Sequence, residues 1–331
     1  MSSASISIVI PAFNAQKTIA QTLQAVLSQD YEQLFEVIVV DDGSTDKTAQ
    51  IVQSFQQVRY IYQPNSGPAT ARNRGIDESH GELVCFTDSD CLPRTDWISE
   101  LVRYFSEPNI AVVAGSYGIA NDKNLLASCI HQEIIFRHNK LIPIFSKSFG
   151  SYNFCARKNI LQALGGFDTH YRYASGEDND LSYKILKAGY KIYFARSALV
   201  DHHHPEKVLK YLRDQFQHGF WRVKMYCDHP DMMVGDDYTF WKDVVEVPLV
   251  LVSLIFVAGF IFHSALLSLL GYVAFCVLLL LEFYFAFSVL TDFFAIPFWA
   301  SVTALRAYAR TFGFFSGLVE ISLPKAVKKS K

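Results

Sequence analysis

The sequence predicts an α/β fold with a mostly parallel sheet, followed by a C-terminal transmembrane helical hairpin and an interfacial helix. Three observations lead there. Short β-branched runs alternate with helical patterns through roughly the first hundred residues. Carboxylates stand at the ends of two of those runs, as Asp41-Asp42 and as Asp88-Ser89-Asp90. Between residues 247 and 281 no Asp, Glu, Lys or Arg occurs.

The elements follow in chain order. Residues 6–10, 37–40, 58–62 and 83–87 read as buried strands, and residues 18–28, 46–55 and 68–78 read as helices between them. Ser44-Thr45-Asp46 offers cap oxygens for the second helix, and Pro68 opens the third after the Ser66-Gly67 turn. Ligands of such sheets bind beyond the carboxyl ends of the strands, so Pro11, Asp41, Asp42 and Asp88 fall on one rim. Beyond Ile110 the pattern becomes less regular, with a helical stretch at 125–139. Gly165-Gly166-Phe167-Asp168 then leads through Glu177-Asp178 into a helix over 181–188, a strand over 191–195 and an amphipathic helix from Pro205 to about residue 226.

The charge-free stretch would extend roughly 50 Å as one helix, against a hydrocarbon core of about 30 Å. Two short spans turning near His263-Ser264 fit better. The apolar segment that follows, 293–319, carries Arg306 and Arg310 one helical turn apart, which predicts an interfacial helix with its arginines toward headgroups or the active site. Two spans return Lys325, Lys328, Lys329 and Lys331 to the cytoplasmic side. The N-terminus lacks the pattern of a signal peptide, so the first domain is expected in the cytoplasm, held at the cell membrane.

The 331 residues are 50% hydrophobic with a formal net charge of −2, which excludes a disordered chain and any global field for nucleic acid. Six scattered cysteines without a CxxC pair argue against a disulfide framework and a cysteine zinc site.

Chemistry concentrates at few places. Asp88-Ser89-Asp90 reads either as a turn or as a site for a hard cation, Mn²⁺ or Mg²⁺, that leaves positions for phosphate oxygens. Asp41-Asp42-Gly43-Ser44 reads as turn and helix cap, with one carboxylate facing the cleft where it can accept from a base N–H or a ribose hydroxyl. Arg72 and Arg74 lie in the first turns of a helix, and Arg72 is the better placed to pair with phosphate. His202-His203-His204 looks like a metal site, although three adjacent histidines cannot all face one ion, or else reads as a polar loop before Pro205.

Taken as an ordered set, Ile8 to Asn14, Val40 to Asp46, Gly67 to Gly75, Asp88-Ser89-Asp90, Gly165 to Asp168 and Glu177-Asp178 resemble the motifs of family 2 glycosyltransferases. That resemblance implies a Rossmann-like GT-A domain over 1–228, with a nucleotide-binding half to about 115 and an acceptor half over about 116–228. A linker over 229–243, the hairpin over 244–290, and an interfacial helix with a basic tail over 293–331 complete the expected organisation. It also implies that Pro11, Ala12, Asn14 and Asp42 line the nucleoside pocket, that Arg72 helps hold the nucleotide, and that Asp90 contacts the metal. Asp88 is expected to act through water or the donor's ribose or sugar, and in related transferases a histidine in the region of His202 and His204 approaches the metal or the diphosphate. The implied reaction is a single displacement with inversion, in which Asp178, or failing it Glu177, is the general base. The QxxRW signature of processive synthases is absent around Gln217, which favours a single addition. The expected donor is a nucleotide sugar, UDP-linked first, and the expected acceptor is a lipid-linked glycan or polyprenyl phosphate in the membrane. The rival from another class is a membrane-tethered nucleotide-sugar-binding protein without turnover.

Overall fold

The computed structural model describes residues 5–31, 33, 35–171, 175–232, 237 and 239–322. The chain divides into two compact units, one of residues 1–121 with 142–204 and one of residues 122–141 with 205–331. The lysines at 325, 328, 329 and 331 lie outside the described residues.

The first unit is built on a nine-stranded sheet. Its strands are β1 Ile6–Ala12, β2 Phe35–Asp41, β3 Val58–Tyr62, β4 Leu83–Thr87, β5 Cys91–Pro93, β6 Ile110–Ile119, β7 Phe145–Ser146, β8 Asn153–Arg157 and β9 Lys191–His202. They run in the order β3-β2-β1-β4-β8-β6-β9-β5, and β7 pairs with β9. β1 pairs in parallel with both β2 and β4, while β8 is antiparallel to both β4 and β6. Alternation divides β1 between two apolar layers: Ile8 and Ile10 pack with Leu23, Val37 and Trp97, and Val9 packs with Ile76, Val84 and Phe86.

The sheet itself opens the crevice. The β1–β4 ladder ends at Val9 and Phe86, although β1 continues beside β2 to Ala12. Pro11 therefore stands where no β4 partner waits for its missing N–H, which is how a central strand tolerates proline. The chain turns to β2 on one side of β1 and to β4 on the other, and ligands of open α/β sheets bind at such a switch point. Helix Pro68–Glu78 lies close against β1, because Gly75 has no Cβ; one placed there would meet Val9 Cγ1 at 2.2 Å. That approach sets the height of Arg72, one turn earlier.

The second unit contains helices Leu125–Lys140, Val208–Asp228, Trp241–Ile261, Ala265–Val289 and Ile296–Ser322. The hairpin turns at His263 and Ser264, as the charge-free stretch suggested, with His263 at φ 52° and Ser264 capping the second arm. Its arms have 21 and 25 residues and are long and apolar enough to cross a membrane. At 1.5 Å per residue they measure about 31 and 37 Å. They extend beyond the charge-free stretch because the flanking charges are paired: Lys242 meets Glu246 and both oxygens of Glu282.

The arginines of the last helix differ from expectation. Arg306 donates to both oxygens of Glu133 at 2.9 Å and to the Tyr211 hydroxyl at 3.1 Å, and Arg310 Nε donates to Gln215 at 2.7 Å. They face partners within their own unit instead of headgroups or the active site. A buried guanidinium needs a carboxylate, and Glu133 supplies it. Helices Val208–Asp228 and Ile296–Ser322 approach backbone to backbone at Gly219, Gly313 and Gly317; a Cβ on Gly313 would lie 2.0 Å from the Phe216 carbonyl oxygen.

Candidate active site

At the carboxyl end of β2 both aspartates are buried and occupied. Asp41 accepts from the Ser44 N–H at 2.8 Å and from the Tyr60 hydroxyl at 2.8 Å. Burial, then the Asp41 carboxylate, push the Tyr60 hydroxyl up in pKa, so it remains a donor. Asp42 accepts from Gln63 at 2.6 Å and from the backbone N–H groups of Ser66 and Gly67 at 2.9 and 2.8 Å. It thereby moors the loop that starts helix Pro68–Glu78, leaving little of its acceptor capacity for a base. Pro11 and Ala12 are buried in β1, whereas Asn14 is exposed at φ 51°. Asn14 joins the β1 loop to the β2 loop, its N–H donating to Ser44 Oγ and its Oδ1 accepting from Thr45, both at 2.9 Å.

A second group centres on Arg72. Sequence reasoning aimed this side chain at phosphate, but the structure buries it to 1% exposure. Its two terminal nitrogens donate to Asp88 Oδ1 and Glu177 Oε1, each at 2.9 Å. The guanidinium is thus a strut between β4 and helix Glu177–Lys187, with the Phe167 ring 5.6 Å beneath it. A buried cation between two carboxylates has its charge compensated where it stands.

Helix Glu177–Lys187 starts four residues earlier than the pattern suggested. Gly176 at φ 95° makes the entry turn, and Glu177, Asp178 and Asp180 crowd the first turn, where the helix dipole favours them. Glu177 is 1% exposed. Burial, then the neighbouring Asp178 charge, push it up to about 7 against the opposing pull of Arg72. Asp178 is half-buried and accepts from the N–H groups of Asn179 at 2.9 Å and Ser151 at 3.3 Å. Its carboxyl is also raised, by burial first, with Arg72 and these N–H groups opposing.

The third group joins Asp90 to the end of β9. Antiparallel pairing sets Cys91 opposite His202, and the His203 N–H donates to the Asp90 carbonyl at 3.2 Å. His202 Nε2 then lies 3.6 Å from Asp90 Oδ1. Asp90, Cys91 and His202 can converge on one ion. Cys91 is buried and its thiol is pushed well up, by burial first and then by Asp90 and Asp88. Of these donors, the carboxylate oxygen and the imidazole nitrogen suit a hard cation such as Mn²⁺ better than sulfur does. Asp88 stands outside that cluster, on the Arg72 side.

The chain is similar to known proteins. The sequence model of Glycosyl transferase family 2 matches residues 7–164. The Pre-mycofactocin glycosyltransferase of Mycobacterium tuberculosis is 30% identical over 205 residues, covering 59% of this chain and 43% of that one. Glycosyltransferase AglE of Haloferax volcanii is 28% identical over 230 residues, covering 67% and 74%. Residues 7–164 form a glycosyl transferase family 2 domain. The chain spans under half the length of the mycobacterial relative. Among solved structures, the mannosyltransferase PcManGT from Pyrobaculum calidifontis, in complex with GDP-Man and Mn²⁺, matches 94% of this chain and 86% of its own. The TM-score is 0.58 at 17% identity, a likeness of GT-A fold.

Within this family 2 domain the sequence reading missed Tyr117 and Tyr152, whose rings stack at 3.6 Å between centroids. Tyr117 also packs against the rings of His202 and His204, at 5.4 and 5.6 Å. Neither tyrosine belongs to a motif, and only the pairing of β6 with β9 brings Tyr117 beside His202.

Proposed function

We propose that this chain is an inverting, metal-dependent glycosyltransferase that moves one sugar from a nucleoside diphosphate sugar, UDP-linked first, to a membrane-associated acceptor. The observation that carries the reading is the Asp88–Arg72–Glu177 bridge, which ties the donor-side carboxylate to the first turn that holds Asp178. Asp178 is the base. It is half-buried, whereas Glu177 is buried and bonded to Arg72, and burial raises its basicity above that of an ordinary aspartate. As the acceptor oxygen attacks the anomeric carbon and the bond to the diphosphate breaks, Asp178 takes the acceptor's proton.

Asp90 and His202 would hold a divalent cation whose charge offsets that of the leaving diphosphate, and Asp88 would face the donor from the Arg72 side. Arg72 acts through Asp88 and Glu177, keeping both sides of the cleft in register. Pro11, Ala12 and Asn14 form the floor and rim of the nucleoside side, and Asp42 shapes that side by fixing the 63–67 loop. The two apolar helices support a membrane-held acceptor, such as a lipid-linked glycan or polyprenyl phosphate, with the catalytic unit cytoplasmic at the cell membrane.

The test is a panel of UDP-, GDP- and dTDP-sugars with lipid-linked and soluble acceptors, run with and without Mn²⁺ or Mg²⁺ on the chain in lipid. Asp178→Asn should lower turnover by about 10²-fold or more while donor binding persists. Near-normal turnover of that variant removes Asp178 from the role. Donor binding without transfer or hydrolysis in any arm would make the chain a nucleotide-sugar-binding protein.

A further inference from the structure

The second and third histidines of His202-His203-His204 remain without a role in the reaction above, and His204 is the more buried of the two. It is 3% exposed. Its backbone is clamped by one side chain: the His204 N–H donates to Asn121 Oδ1 at 3.0 Å, and Asn121 Nδ2 donates to the His204 carbonyl at 2.9 Å. From that fixed point its ring presents Nδ1 to Nδ1 of His202, at 3.1 Å, with the rings nearly perpendicular at 67°. Tyr117 closes one side of both imidazoles and is itself stacked on Tyr152.

Two imidazole nitrogens at hydrogen-bond distance need one proton between them: one donates and the other offers its lone pair. The direction follows from what His202 faces. Its Nε2 points at Asp90, and a ring nitrogen ligates a cation through its lone pair. A neutral imidazole with a free lone pair on Nε2 carries its hydrogen on Nδ1. His202 Nδ1–H therefore donates, and His204 Nδ1 accepts.

We propose that His204 is a positioning residue for the metal side of the cleft, accepting the His202 Nδ1–H bond so that His202 presents the Nε2 lone pair toward Asp90. The inference rests on the metal reading of Asp90 and His202. An outer hydrogen-bond partner of this kind fixes the tautomer and the ring angle, and its loss typically costs about 10- to 100-fold in metal affinity. A purely structural histidine would affect folding and leave metal affinity alone.

Asparagine separates the two roles, because its Oδ1 offers an acceptor where Nδ1 stood, while leucine offers none. The full chain in detergent is titrated with Mn²⁺ alone and bound ion is followed by electron paramagnetic resonance, with thermal unfolding measured on each sample. His204→Leu should weaken Mn²⁺ binding about 10- to 100-fold, and His204→Asn should restore most of it, whatever either does to unfolding temperature. Equal affinity in wild type and His204→Leu overturns the proposal, as does equal weakening in the Leu and Asn variants. His202→Ala and Asp90→Ala distinguish the failures. If neither weakens Mn²⁺ binding, or if wild type binds none, the metal reading itself fails; if both weaken it and His204→Leu does not, only the role of His204 falls.

Discussion

Replacing Arg72 by methionine should destabilise the first unit by an amount that depends on pH in a stated way. The change removes both bonds of the guanidinium, to Asp88 and to Glu177. A charged hydrogen bond contributes about 1.5–3 kcal/mol, and the Asp88 bond counts for less because that side chain is 29% exposed. About 2–4 kcal/mol is therefore lost at pH 6.5. What happens above neutrality is set by Glu177. A carboxyl whose folded value lies above its ordinary 4.5 costs stability as pH climbs from 4.5 to the folded value, and the cost then levels off. In the wild type it levels off at about 7. Arg72 is the group that pulls that value down, so without it the folded value rises further and the cost keeps growing by about 1.4 kcal/mol per pH unit. The loss should accordingly be flat below pH 7 and larger by about 2 kcal/mol at pH 8.5. Amide hydrogen exchange of peptides covering β1 and β4, compared with wild type at the same pH and urea concentration, reads this difference. Arg72→Met with Glu177→Gln should remove the rise above pH 7. The reasoning is refuted by a loss that is equal at pH 6.5 and 8.5, or by a double variant that keeps the rise.

Three further outcomes are expected. Asp90→Asn should raise the Mn²⁺ concentration for half-maximal turnover by more than about 10-fold, whereas Asp88→Asn should change donor affinity more than metal affinity; a reversed pattern would exchange their roles. Glu133 is buried, which raises its pKa, yet Arg306 and then Arg137 outweigh burial and hold it at about 2. Its stabilisation is complete above its ordinary 4.5 and is lost as pH falls toward 2, so Glu133→Gln should lose little further stability on acidification across that window. An acid limb as steep as that of wild type would refute the pairing. Gly313→Ala should lower the unfolding temperature in detergent despite alanine's better helix propensity, since crowding costs about 1–3 kcal/mol against a gain of about 1. A raised temperature would mean that the two helix backbones stand farther apart.

The strands through β4 were legible because buried parallel strands are near-continuous apolar runs, and residues 37–40 and 83–86 are of that kind. The hairpin was legible because a run without charge can hardly be anything else at that length. Helix Glu177–Lys187 was placed too late, since its first turn is acidic and polar and shows no apolar period; the helix dipole, with Gly176 in a left-handed turn, starts it. Arg72 was misdirected for a different reason. Its helix and its height above β1 follow from local sequence, but its partner Glu177 is 105 residues away, and no local pattern reports a contact at that distance.

The same reasoning explains why spacing alone could not divide the labour of Asp88 and Asp90. In a continuing strand, residues two apart face the same side, and both carboxylates would meet the same ligand. The strand stops at Thr87, and the Cys91 N–H closes a turn onto the Asp88 carbonyl at 3.1 Å. Asp88 is left facing Arg72, while Asp90 is carried toward β9. What carries it there is β5, three residues that end in proline and read as a turn when seen alone. Proline is tolerated because β5 is the outermost strand of the sheet, where one side of the backbone needs no partner. Pairing of so short a strand with β9 sets the distance between Asp90 and His202. The two carboxylates of the motif therefore belong to two different clusters, one built on an arginine and one on an imidazole.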